Sequence, residues 1–398
     1  MDERPEKEET QVPVSRLAIT SFVLAILMFV LLFLPAPLTG GWALLFSPIC
    51  GILAIGYGIA GLIAVERSGG RLKGRKQAIT GIVLPVLALC VLILLLMPTI
   101  QRERTVALRM SCGSNLSKLG KTMSMYANDY QGKYPCAGGK GTRWAGFIPD
   151  WTAKDRNQAF GLDPNGQGGQ ATVGSSLYLL IRYSECPPQM FVCNSDEGTR
   201  LFKPEGYRRS QGKRLTDLWD FGPEPWRHYS YAYHWPYGDF ALKIRSKAEI
   251  AVARAKASST HDYTDVVPYE AGIAGLAVAA DRSPWIASPN YKANDFTKFK
   301  PDMNFRPYIN AWKGTAQEAR YGNSPNNRMD GQNVLFIDGH VDFEKRPFVG
   351  IDNDNIYTRW DVTDKIRGLP PDMTSQPADK KDSLLVHDPP AKPRSGIQ

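Results

Sequence analysis

Three long uncharged apolar runs fill most of the first hundred residues: Leu17–Pro35, Trp42–Ala64 and Ala78–Ile100. A helix that crosses hydrocarbon needs about 20 mostly apolar residues, so each run reads as a membrane span rather than a core helix. Pro35, Pro37, Gly40 and Gly41 break the first run from the second, where a helical ladder would be interrupted anyway. None of the runs holds Asp, Glu, Lys, Arg or His, which argues against an ion or proton pathway and for an anchor. Ala54 with Gly58, and Gly56 with Ala60, place small residues at helix-packing spacing, which is also ordinary membrane glycine usage.

Charge separates the chain into two parts. Residues 1–100 carry 8 basic and 6 acidic side chains, and the remainder carries the other 40 and 33. The mean hydropathy of −0.29 therefore averages an apolar third with a polar two-thirds. A plain cytosolic enzyme and a polytopic transporter are both excluded by that split. Between the second and third runs, Val65–Gln77 holds Arg67, Arg71, Lys73, Arg75 and Lys76 against Glu66. Short loops rich in Lys and Arg stay on the cytoplasmic side. The expected topology has a cytoplasmic segment 1–16, a three-helix anchor 17–100 and an outward-facing remainder. Arg102 and Arg104, directly after the third run, oppose this orientation but are outnumbered. Glu6, Glu8 and Glu9 make the leading segment acidic and no small-x-small site follows the first run, so that run is expected to stay as an anchor.

Beyond Ile100 the pattern becomes one-sided. Leu108, Cys112, Leu116, Leu119, Met123, Tyr126 and Tyr130 recur at steps of three and four, the mark of a helix with one apolar stripe. No Pro intervenes from Thr99 to Lys133, so the third span is expected to continue outward as one helix of about 45–50 residues, roughly 70 Å long. Gly113 and Gly120 weaken it locally and suggest a bend. His228–Tyr233 alternates with Tyr229, Tyr231 and Tyr233 on one face, a strand. Ala274–Ala280 is a second apolar strand, ending at Asp281-Arg282-Ser283-Pro284. Asn333–Ile337, Asp338-Gly339 and His340–Phe343 read as a hairpin, because Asp-Gly supplies the positive φ of a tight turn. Ser176–Tyr183 is a short helix, and the Gly-rich stretch after Pro135 is expected to be a long surface loop. The fold class is α+β: a long helix packed on an antiparallel sheet over residues 101–368, followed by a disordered Pro-rich tail, 369–398.

Several segments resemble known families. "GGRLKGRKQAITGIVL" within residues 17–97 resembles a small bacterial multi-helix membrane domain of unknown function. Residues 111–135, "SCGSNLSKLGKTMSMYANDYQGKYP", and 178–196, "YLLIRYSECPPQMFVCNSD", resemble bacterial prepilin-type, pseudopilin-like proteins. Residues 328–343, "RMDGQNVLFIDGHVDF", resemble the C-terminal signature of that family, a His, nine residues, then Asp-Gly. Here Arg328 stands at the His position, with Asp338 and Gly339 completing the signature. The third span lacks the acidic residue near its fifth position that prepilin processing uses, so peptidase cleavage and filament assembly are not expected. The resemblance implies a pilin-type domain on a three-helix anchor in a bacterial cytoplasmic (inner) membrane, working with type II secretion or pilus-type machinery.

Four cysteines lie beyond the spans: Cys112, Cys136, Cys186 and Cys193. In an oxidising compartment an even number suggests two disulfides with three possible pairings. Cys112–Cys193 is favoured, tying the helix to the sheet domain, with Cys136–Cys186 second. Zinc is disfavoured, since there is no Cys-x-x-Cys and the six-residue gap between Cys186 and Cys193 suits it poorly.

Candidate chemistry is sparse. Asp338, His340 and Asp342 would share a strand face, and Asp281 at a strand end could join them around a metal; the alternative is turn chemistry on a half-exposed strand. Asp352 and Asp354 open a calcium-like loop, but the Gly at position six and the Glu at twelve are missing. Asp163 and Asn165 are similar. His228 and His234 flank an aromatic stripe that either stacks on ligands or forms the buried sheet face. Ser259, His261 and Asp262 have triad residue types without a nucleophile elbow, and no phosphate loop or dinucleotide fingerprint is present. The basic excess outside the spans is spread out, which favours loose attraction to acidic surface polymers over nucleic-acid readout. The expected function is a non-enzymatic, membrane-anchored envelope protein with no cofactor. Its partners would be the lipid bilayer and secretion-system proteins, with no nucleic acid. The alternative is a metal-dependent hydrolase of envelope polymers centred on Asp281, Asp338 and His340.

Overall fold

The computed structural model describes residues 12–33, 42–243, 275–301, 320–361 and 366–391. The chain forms two compact units, Met1–Arg104 and Thr105–Gln398. In the first, α1 (Arg16–Phe33) and α2 (Trp42–Arg67) pack on the opening turns of α3 (Arg75–Asp129). The Ser21 hydroxyl donates to Ala54 O at 2.7 Å and Ser47 to Met28 O at 3.2 Å, so α1 and α2 run in opposite directions. Of the two small-residue faces, only one packs. A Cβ on Gly58 would meet Ile82, the Ser21 hydroxyl and Ala78 O within 3.0 Å, whereas Gly56 has open space beside it and Ala60 is exposed. Close approach of this kind is what small residues contribute between helices in lipid.

Among the described residues, two helices, α2 and α3, are long and apolar enough to cross a membrane. This corrects the count of three expected spans. The α1 helix has 18 residues. At 1.5 Å per residue that is about 27 Å, just short of a hydrocarbon core of about 30 Å.

The helix α3 is continuous over 55 residues, as the absence of helix breakers after the apolar run predicts. Its second half forms the spine of the second unit. Cys112, Leu116, Leu119 and Met123 are fully buried, while Met110, Lys118, Lys121 and Met125 on the other side are exposed. The stripe lies against a five-stranded antiparallel sheet in the order β6-β5-β4-β3-β7. Its strands are β3 (Tyr231–His234), β4 (Ala277–Asp281), β5 (Gln332–Phe336), β6 (Val341–Glu344) and β7 (Leu385–Val386). Gly113 and Gly120 serve approach rather than bending. A Cβ on Gly120 would sit 2.6 Å from Leu335 Cδ1, and one on Gly113 would sit 2.9 Å from Asn333 Oδ1.

Both faces of the sheet are covered. Tyr231, Tyr233, Leu335 and Val386 join the α3 stripe, with α5 (Val173–Ser184), in one core. Ala232, Ala280, Val334, Phe336 and Leu385 face a second core of Trp285, Phe299, Phe348, Ile356 and Tyr357. The tyrosine alternation thus marks a buried face against the long helix. The Tyr231 hydroxyl donates to Cys112 O at 3.3 Å and Tyr233 to Pro135 O at 3.1 Å, which satisfies both buried phenols.

Three expectations are corrected. The Gly-rich segment after Pro135 is no surface loop: a parallel pair, β1 (Arg143–Trp144) and β2 (Gln170–Ala171), and the short α4 (Arg156–Phe160) bury Trp144, Ile148, Trp151 and Phe160. The tail expected to be disordered supplies β7, because Leu384, Leu385 and Val386 are fully buried amid polar neighbours that dominate the local composition. Of the disulfides, Cys112–Cys193 is formed, closing a separation of 81 residues, while Cys136 and Cys186 are free thiols. The Cys186 thiol lies against Met190 Sδ, 3.6 Å away, and Cys136 against Ala137 O.

A cross-link over so long a loop restricts the unfolded chain by about 2–4 kcal/mol. Cys193→Ser should lower the unfolding free energy by that amount in urea titrations of the intact protein in micelles. Cys136→Ser should shift it far less.

Candidate functional site

The hairpin joining β5 and β6 turns at Asp338-Gly339, with Gly339 at φ +92° as an Asp-Gly turn requires. The Asp338 carboxylate contacts both the His340 amide, at 3.1 Å, and His340 Nδ1. His340 Nε2 lies 3.8 Å from Asp342, and the ring stacks on Phe336 at 4.4 Å between centroids. All three polar side chains are exposed, on a turn that the Asp338 carboxylate itself braces.

Asp281 does not join them. It is fully buried at the end of β4, where its Oδ2 accepts from Asn327 Nδ2 (2.7 Å), Asn333 N (2.8 Å) and Asn333 Nδ2 (3.0 Å). Asn333 lies near the start of β5 and Asp338 follows its end, so five residues at about 3.3 Å each put roughly 16 Å between the two places. Burial, only partly offset by those three bonds, pushes the Asp281 carboxyl up to about 6. Among the described residues no group of three or more His, Cys, Asp or Glu side chains converges to hold a metal.

Arg328 is exposed and caps a single helical turn in the left-handed region at φ +56°, followed by Met329 at φ +61°. Its carbonyl accepts from Arg320 at 3.0 Å. Two residues on, Asp330 is bonded by both Arg320 and Arg109 of α3 (2.6 Å), and the Arg109 guanidinium lies 4.7 Å from the Phe343 ring centroid. The signature segment is therefore braced to the long helix.

The calcium-like segment is also built inward. Asp352 and Asn353 take left-handed backbone, while the Asp354 carboxylate is buried and accepts from Ser383 N at 2.8 Å and from Trp360 Nε1. Asp163 folds onto its own loop, accepting from Asn165 N and Gln167 N at 2.8 and 2.9 Å. His228 and His234 are both buried, which holds each ring down to about 4 and therefore neutral. Ser259, His261 and Asp262 lie outside the described residues.

The strongest buried electrostatics involve residues that periodicity does not single out. Arg282, fully buried just after β4, pairs with Asp196 at 2.7 Å and donates to Thr199 Oγ1, Trp226 O and Tyr229 O. Burial alone would raise Asp196, but the Arg282 charge and the Thr199 bond hold it below the usual carboxylate range. Asp388, beside β7, caps α5: Val173 N, Gly174 N, Trp144 Nε1 and the Tyr229 hydroxyl all donate to it at 2.7–2.9 Å. The Thr172 hydroxyl donates to Asp220 at 2.6 Å, and burial together with the Asp388 charge drives the Asp220 carboxyl well above its ordinary range. The sequence offered one signal for this network, the charged pair Asp281-Arg282 closing an apolar strand.

No protein-family model, no curated protein and no solved structure matches this chain.

Removing one partner of a buried ion pair strands the other charge, at a cost of about 3–5 kcal/mol. Asp196→Ala should lose that much stability in thermal or denaturant unfolding, whereas His340→Ala, on the exposed turn, should stay within about 0.5 kcal/mol of the parent.

Proposed function

We propose that this chain is a membrane-anchored, non-enzymatic envelope protein that presents a pseudopilin-like α+β domain to protein partners of a secretion or pilus-type system. The observation that carries the reading is α3. One helix opens with Arg75 and Lys76, runs through the apolar, charge-free stretch Ala78–Ile100 and ends as the amphipathic spine of a folded domain. A helix shared in this way has a simple use, to hold a water-soluble domain at a bilayer. In this reading α1 completes a three-helix anchor by packing on α2, the Arg/Lys-rich turn between α2 and α3 is cytoplasmic, and the second unit is extracytoplasmic. An oxidising exterior also suits the Cys112–Cys193 bond.

Binding rather than chemistry is favoured by what the surface offers. Of the residues raised as a hydrolytic centre, Asp338 and His340 meet on an exposed turn, while Asp281 is buried apart from them and bonded to Asn327 and Asn333. At the far end of α3, Met125, Tyr130 and Tyr183 are exposed by 63, 39 and 46 %. Tyr126 stacks on Tyr130 with 4.2 Å between ring centroids. Exposed aromatic and Met side chains of this kind are enriched at protein interfaces.

A membrane-impermeant maleimide applied to intact cells tests the topology. Lys203→Cys, on the exposed surface of the second unit, should label above the background of the parent chain. Arg71→Cys should label only after permeabilisation. The reverse pattern would overturn the reading.

A further inference from the structure

Strand β6 closes one side of the sheet, and among the described residues no strand lies beyond it. Its backbone is only half used. Phe336 N donates to His340 O at 3.0 Å, which marks that pair as a hydrogen-bonded one, and such pairs alternate along an antiparallel ladder. Two steps on, Val334 faces Asp342, and two further, Gln332 faces Glu344, so Asp342 and Glu344 direct their backbone groups at β5. Val341 and Phe343, opposite Leu335 and Asn333, direct theirs the other way, off the edge of the sheet. No backbone group among the described residues meets them there.

The side chains of β6 alternate between the two faces. Val341 packs against the core under α3, and Phe343 lies below the Arg109 guanidinium. Asp342 and Glu344 take the opposite face. Among the described residues Asp342 pairs with no Lys or Arg, only with His340 Nε2 at 3.8 Å. Glu344 has no ion-pair partner among them, and burial, followed by the Asp342 charge, raises its carboxyl above the ordinary value. The edge therefore joins unused backbone donors and acceptors to a short row of uncompensated negative charge.

We propose that the outer edge of β6 is a docking site for an extended basic segment of a partner protein, which adds to the sheet through Val341 and Phe343 and sets Lys or Arg side chains beside Asp342 and Glu344. Strand addition of this kind takes its affinity from main-chain hydrogen bonds and its specificity from alternate side chains. Opposite charges on neighbouring strands stabilise a pair and like charges oppose it. A second copy of this chain is therefore a poor occupant. In the antiparallel register that uses both outward residues of two β6 edges, Val341 meets Phe343 and Asp342 meets Asp342. The same carboxylates that keep identical edges apart leave this one open to a basic strand. On the other face the incoming strand lies beside Val341 and Phe343, so its basic residues alternate with apolar ones. This assignment rests on the reading that the second unit binds proteins, and its test is independent of orientation in the membrane: peptide binding can fail without disturbing the maleimide pattern, and the reverse.

Residue-resolved hydrogen exchange of the full-length protein in micelles tests the edge, with two synthetic peptides as probes. One is acetyl-Thr-Lys-Val-Lys-Val-Lys-Thr-amide, and the other carries Glu in place of each Lys. At about ten times its dissociation constant, a ligand slows exchange of an amide that it alone protects by about tenfold. The Lys peptide should do this at the Val341 and Phe343 amides, while those of Asp342 and Glu344, which face β5, should not respond. The Glu peptide should leave all four unchanged. Val341→Pro removes one outward donor and should weaken the Lys peptide. The double variant Asp342→Lys with Glu344→Lys should exchange the preference, so that the Glu peptide protects; it keeps the test open if the proline variant unfolds. Equal protection by both peptides, protection by neither, or a preference unmoved by the double variant would overturn the proposal. So would slowing at Val341 and Phe343 that grows with protein concentration and no peptide, since a second copy would then hold the edge.

Discussion

The contact on which the second unit depends is the apolar stripe of α3 lying on the inner face of the sheet. Leu116, Leu119 and Met123 are buried there, at roughly 1.5–3 kcal/mol each. Their sum exceeds the 2–4 kcal/mol typical of a disulfide, so Cys112–Cys193 locks a packing that already exists rather than creating it. The approach is close because Gly113 and Gly120 have no side chain to hold Asn333 and Leu335 away. Glycine costs helix stability on its own, by up to about 1 kcal/mol, and the sheet contact explains why two are present in this spine.

Covering the sheet on its second face as well creates a polar problem. Strand ends that would otherwise meet water instead meet protein, and each buried charge or amide must find a partner. Arg282 is the main solution. It leaves β4 and gathers Asp196, Thr199 and the Trp226 and Tyr229 carbonyls, segments that the chain supplies from places 53–86 residues away. Asp281, its neighbour, does the same for Asn327 and Asn333. These groups resemble an active site in their perturbed acidity and burial. Their bonds are nevertheless spent on backbone and neighbouring side chains, which is the pattern of a structural network.

Elements with a strong period were legible in the sequence. The α3 stripe, the alternation of Tyr229, Tyr231 and Tyr233, and the Asp-Gly hairpin each repeat a simple rule often enough to stand out, whereas the pairing of Cys112 with Cys193 was favoured over its alternatives without any period to fix it. What escaped notice lacks a period. The segment around Trp144, Trp151 and Phe160 buries single aromatics between glycines, and β7 is three apolar residues in a stretch dominated by Pro, Asp and Lys. Local composition there predicts solvent exposure, yet long-range contacts decide otherwise. The span count erred for a different reason: an apolar run can be long enough in residues while the helix it forms, α1, is slightly short of the hydrocarbon thickness.

The signature region shows why a motif and a mechanism are separable. Asp338 and Gly339 are explained by the turn they make, and His340 by its contacts with Asp338 and Phe336. Arg328, ten residues before Asp338, uses its backbone: a left-handed cap whose carbonyl receives Arg320 and whose successors carry Asp330 to Arg109. A site that employs φ and a carbonyl places weak demands on the side chain, so an Arg can occupy it without loss of the brace. The same logic explains the inward turn of Asp354, where a sequence suggestive of calcium is used to receive Ser383 and Trp360. In both places the residue type is set by what the backbone must do, and the chemistry suggested by the side chain is left unused.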